Sequence, residues 1–112
     1  MTQYLISFDD GAMTFPEEDL PEVAKASHQV VARAKQAGVW IFGGGIEGHE
    51  VSIVDTDGSV TQGSVPGSRL HIGGFSIIDV PTHEEALRWA AELAVACRCA
   101  QEVREIMYDP ES

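Results

Sequence analysis

The residues able to do chemistry in this 112-residue chain are few: four histidines, two cysteines, and seven basic residues set among eighteen acids. His28 is the first candidate. An imidazole exchanges protons near neutrality and can serve as general acid or base. His28 lies at the edge of an apolar helical stripe, about 100° from its centre at 100° per residue. That is where the rim of a pocket would fall, although an ordinary, partly exposed histidine fits the same position. Asp9 and Asp10 could hold or orient His28, but a turn through Gly11 explains Asp-Asp-Gly without chemistry. Arg69 could grip a carboxylate or phosphate bidentately, or pair on the surface with one of the many acids. Ser64 and Ser68 have no adjacent base, which leaves nucleophilic catalysis weakly supported. His49 and His71 are dispersed. His83 falls in the first turn of a helix, where the positive end of the dipole disfavours a charged imidazole.

Metal and phosphate chemistry find little purchase. Cys97 and Cys99 form a Cys-x-Cys pair, but a closed zinc site needs four ligands, and no second Cys pair or His-x-His completes it. Two reduced thiols near a helix end are expected, with no metal and no cofactor. Gly43-Gly44-Gly45 is no phosphate loop, because neither a following Gly-Lys-Ser/Thr nor a G-x-G-x-x-G spacing is present. The run reads as a close backbone approach at a strand end, beside a ligand cleft or a partner chain.

The elements that must position these residues can be read from pattern. Residues 2–8, "TQYLISF", predict a strand. A helix follows, with Asp19 and Glu22 at capping-box spacing and Gly38 at its end. Its stripe is Leu20, Val23, Ala24, Ser27, Val30, Val31 and Ala34. Residues 39–46, "VWIFGGGI", predict a strand buried on both sides. Asp57-Gly58 predicts a hairpin turn, and residues 62–71 an irregular loop. A strand over Gly73–Val80 is stopped by Pro81. Thr82 and Glu85 form a second capping box, opening a helix from His83 to Ala96. Residues 102–108 predict a last strand. The order is β-α-β-β-β-α-β, the third piece being a short partner in the Asp57-Gly58 hairpin. Gly73 and Gly74 lack side chains, so a neighbouring loop, a partner chain or a ligand can come close.

One domain over residues 1–112 is expected. The net charge of −11 opposes nucleic acid and anionic membrane surfaces. No apolar run is long enough for a bilayer, and the N-terminus lacks a secretory pattern, so a cytoplasmic protein is expected. Two β-α-β halves predict an α+β, ferredoxin-like split βαβ sheet with two helices on one face. The strands are apolar on both faces, and two helices cover only one. A second copy of the chain is the simplest cover for the other, so a homodimer is expected.

The segment "GGFSIIDVPTHEEALRWAAE" resembles the most recognisable part of the YCII-related, DGPF-domain proteins: a Gly-Gly-aromatic strand ending in Asp-Val-Pro, then a helix with Glu-Ala-x-x-Trp-Ala. Gly73, Gly74, Phe75, Asp79, Pro81, Glu85, Ala86, Trp89 and Ala90 fit it. "AKQAGVWIFGG" resembles the family's helix-to-strand turn and "EVREIMY" its closing strand. The resemblance implies a dimeric α+β barrel of ferredoxin-like subunits. It implies no general activity, although a His-Asp acid–base role has been proposed for some members. Some also carry a histidine in roughly the part of the first helix where His28 stands. At the place of the Asp-Gly-Pro-Phe motif this chain reads Gln62, Gly63, Ser64, Val65. The acid, proline and aromatic are gone, and chemistry that relied on that aspartate is in doubt; glutamine hydrogen-bonds but carries no proton. Two readings stay open. One is a domain that binds a small molecule in a cleft near the first helix and the 62–71 loop, through Gln62, Ser64 and Arg69. The other is a small enzyme with His28 as general acid or base.

Overall fold

The computed structural model describes residues 1–47, 51–63 and 71–112. Its strands are β1 (Thr2–Asp9), β2 (Trp40–Gly45), β3 (Ser52–Val54), β4 (Val60–Gln62), β5 (Ile72–Val80) and β6 (Glu102–Glu105), and its α-helices are α1 (Leu20–Gln36) and α2 (His83–Cys97). Four strands form one sheet in the order β2-β5-β1-β6, and β3 and β4 form a separate hairpin. Every neighbouring pair is antiparallel. The fold is therefore α+β, a four-stranded antiparallel sheet with two helices, compatible with a ferredoxin-like arrangement. Among the described residues no helix is long and apolar enough to cross a membrane.

The pleat decides which residues meet the helices. Alternate side chains of a strand point to opposite faces, and Tyr4 and Ile6 of β1 share a face with Ile78 and Val80 of β5. These pack with Val30 and Ala34 of α1 and with Ala86, Ala90 and Leu93 of α2, which recur at helical spacing. Burying Ile6, Ile78 and Val80 contributes about 2 kcal/mol each. The alanines let α2 lie close to the sheet.

The other face carries Leu5, Ile77 and Phe42 in register across three strands, with Phe75 two residues before Ile77 on the same face. Phe42 is 63% exposed, with its ring 5.9 Å from that of Phe75. The thinnest dimension of the molecule is 19 Å, about the depth of one sheet and one helix layer.

Several local expectations change. The strand over residues 39–46 is not buried on both sides: β2 is an edge strand, with Ile41 48% exposed. An apolar run does not reveal whether its strand sits at the edge or the centre of a sheet. The hairpin supplies two strands, so the chain has one strand more than expected, and its turn glycine Gly58 adopts φ +86°. Gln62 belongs to β4 and the last strand ends at Glu105. Thr82 caps α2 as expected, its hydroxyl accepting from the Glu85 amide at 3.2 Å. Asp19 does not cap α1. It ends a 3-10 turn over Glu17–Asp19 with helical dihedrals, and its carboxylate instead accepts from Arg98 at 2.8 Å.

The glycines have distinct neighbours. A Cβ on Gly74 would lie 2.5 Å from the Phe8 ring, and one on Gly73 3.0 Å from the same ring. The close neighbours of the double glycine thus belong to the same chain: the Phe8 ring at both positions and, at Gly73, the Asp10 Cα at 3.0 Å as well. A Cβ on Gly43 would lie 2.5 Å from the Phe75 carbonyl oxygen and 2.9 Å from the Ser76 Cα, while one on Gly44 would meet nothing within 4 Å. Backbone cannot swing aside as a ring can. Gly43→Ala should therefore lose about 2 kcal/mol or more, in the range of an overpacked core, and Gly44→Ala should stay within about 0.5 kcal/mol of the parent. Urea unfolding of both variants checks this; equal midpoints would contradict the assigned contact.

Candidate functional site

A cavity of about 520 Å³ opens between the sheet and the helix layer. One wall is β2, where Gly43, Gly44 and Gly45 present bare backbone beside the indole of Trp40. Phe8 of β1 and Ser76 of β5 continue it. Phe8 holds its place because Gly73 and Gly74 leave room beneath its ring. The opposite wall is α1, with Ser27, His28, Val31 and Lys35. These residues fall on one helical face at spacings near three, four and seven. Leu93 and Cys97 from the end of α2, Met13, Gln101, and the Phe42 and Phe75 side chains, which belong to the opposite sheet face, complete the lining.

His28 therefore does stand at a pocket rim, exposed at its outer side. Its side chain makes no hydrogen bond or ion pair with any described residue. Asp9 and Asp10 do not line the cavity. They enter a turn in which the Ala12 amide donates to the Asp9 carbonyl at 3.0 Å and Gly11 takes φ +83°. Gln62 is not among the lining residues either; its Oε1 accepts from the Ser52 hydroxyl at 2.9 Å across the hairpin. Ser64, Arg69 and His49 lie outside the described residues. His83 stacks at a tilt against Tyr4, ring centres 5.9 Å apart. Sequence reasoning did not single out Trp40, Lys35 or Gln101. A weak signal existed for Lys35, seven residues beyond His28 and so on the same helical face.

The polar groups in the cavity are poorly suited to covalent catalysis. The Ser27 hydroxyl donates to the Ala24 carbonyl at 3.0 Å, a bond within its own helix. Burial, and secondarily the neighbouring Cys99 thiol, push the Cys97 thiol up. Burial also raises Cys99, opposed by a hydrogen bond from Gln101. Both thiols are free. Among the described residues no group of three or more His, Cys, Asp or Glu side chains converges to hold a metal ion.

Three other cavities are less apt, one of them a small surface cleft at Arg88, Trp89, Ala91 and Glu92. A second lies on the outer surface between α1 and α2, flanked by the ion pairs Arg33–Glu92 and Arg98–Glu22. The third lies under the C-terminal residues near Asp79, whose Oδ1 is buried with no partner among the described residues. No family model matches the chain, and no curated protein matches it.

A raised thiol is a smaller thiolate fraction at neutral pH, and the thiolate is the reactive form. Iodoacetamide should accordingly label Cys97 at about pH 7.5 at least several-fold more slowly than it labels glutathione, with the rate climbing as pH rises further. Labelling as fast as glutathione would show an activated thiol and contradict the raised, half-buried Cys97 thiol described above.

Proposed function

We propose that the protein is a YCII-like, ferredoxin-like domain that binds a small molecule in the cavity between α1 and β2 and acts as a homodimer. The observation that carries the binding reading is the cavity itself. Its volume lies within the range of small-molecule sites, about 300–1,000 Å³, and it is lined mainly by apolar and aromatic side chains with a few polar groups. Bare glycine backbone on one wall lets a flat molecule lie close. The dimer reading is supported by the second sheet face, where Leu5, Phe42, Phe75 and Ile77 form an apolar surface on the side away from the helices. Such a surface on a small chain calls for a cover, and a two-fold copy supplies one that is self-complementary.

An acid–base enzyme is the second reading, favoured by His28 on the cavity rim. Against it stands the lack of a carboxylate partner for His28 among the described residues. A general base also needs a substrate proton within reach, which this rim would offer to a bound ligand.

Gly45 separates the cavity from the fold. A Cβ there would meet nothing within 4 Å, so Gly45→Leu should fold normally and fill the space. Small aromatic fragments screened by amide chemical shifts should move the Gly43 and Gly44 signals and the Trp40 indole signal in the parent, and leave them unmoved in Gly45→Leu. Shifts that survive in Gly45→Leu would place the ligand elsewhere. His28→Gln divides the two readings. Binding reduced by no more than about tenfold, one hydrogen bond's worth, fits the binding domain. A compound converted by the parent but only bound by His28→Gln would establish the enzyme.

A further inference from the structure

We infer that the cavity takes a small organic anion: a flat apolar body bearing one carboxylate, held by Lys35, with His28 hydrogen-bonding a second polar group on the ligand. This rests on the small-molecule reading of the cavity and specifies the chemistry of its occupant.

Charge around the cavity is unlike charge over the chain. Acids outnumber basic residues eighteen to seven overall, yet no Asp or Glu is among the described residues lining the cavity. Its polar lining is instead one ammonium, one imidazole, two hydroxyls, one thiol and one amide, from Lys35, His28, Ser27, Ser76, Cys97 and Gln101. A neutral or charged imidazole always offers at least one N–H. Ser27 has already committed its proton to Ala24.

The availability of Lys35 is the second point. Arg33, Arg88 and Arg98 are each tied to a carboxylate, on Glu92, Glu85 and Asp19 respectively. Lys35 makes no ion pair with a described residue. Lys35 is exposed where it lines the cavity, which leaves its ammonium open to an arriving anion.

Geometry supplies the third point. His28 and Lys35 are seven residues apart on α1, so they share a face about 10 Å apart along the axis. Val31 lies between them and also lines the cavity. Two polar groups thus flank an apolar centre, opposite the bare backbone of Gly43–Gly45 and the Trp40 indole. A flat ring fits between Val31 and the glycine wall, with its carboxylate toward Lys35. A neutral ring would gain the same apolar contacts and lose the charge-assisted bond.

The test uses sodium benzoate and benzamide, which share shape and differ in charge. Each is titrated to about 10 mM, enough to reveal fragment-scale affinity, into the full chain and into Lys35→Met. Amide shifts of Gly43–Gly45 and the Trp40 indole are followed. Benzoate should bind the parent at least tenfold more tightly than benzamide. In Lys35→Met that preference should vanish, with benzamide unchanged. Benzamide binding as tightly as benzoate, or benzoate unaffected by Lys35→Met, would overturn the anion assignment and leave the cavity reading standing. If neither compound moves those signals in the parent, the cavity reading fails and the assignment with it.

Discussion

A four-stranded sheet has two faces, and the two helices of this chain cover one of them. The other properties of the molecule depend on that imbalance. On the covered face Tyr4, Ile6, Ile78 and Val80 meet the helices and are at most 3% exposed. On the opposite face Leu5, Phe75 and Ile77 are only half-buried, and Phe42 stands out at the sheet edge. Removing apolar surface from water is the main favourable term in folding, and a chain of this length has little stability to spare. The proposed homodimer is the resolution that uses no component beyond the chain itself.

The same imbalance makes room for a site. The helix layer meets the sheet closely where alanines of α2 face it, and less closely toward β2. There the sheet edge is stripped of side chains at Gly43–Gly45, and α1 presents His28, Val31 and Lys35 across the gap. Gly43 packs directly on the β5 backbone, whereas Gly45 has open space above it. One glycine therefore holds the wall together while its neighbour keeps the cavity open. Phe8, seated over Gly73 and Gly74, ties that wall to the central strands.

What could be read from the sequence was what short-range rules control. Thr82 and Glu85 announced the start of α2, and the hydroxyl-to-amide bond is there because cap and helix lie three residues apart. Gly38 and Gly58 take the positive φ their positions required. Reading failed where distant residues decide. Asp19 carries a capping pattern, but Arg98, seventy-nine residues later, draws its carboxylate away. The run over residues 39–46 has the composition of a central strand and forms an edge, because strand order is a property of the whole sheet. Helical phase put His28 at the edge of the apolar stripe, and it lines the cavity. Its companions Trp40, Lys35 and Gln101 were not singled out, since only folding brings three separate segments to one cavity. Of the loop residues thought to join His28, Gln62 turns to Ser52 within its own hairpin, and Ser64 and Arg69 lie outside the described residues.

The covering of the second sheet face is the claim on which the whole arrangement rests, and solution mass tests it most directly. Sedimentation equilibrium at micromolar concentration should return twice the 12.1 kDa chain mass, with little fluorescence from a hydrophobic dye. A species of 12.1 kDa that also fails to bind the dye would show that the face carrying Phe42 and Phe75 needs no partner, and would contradict the account.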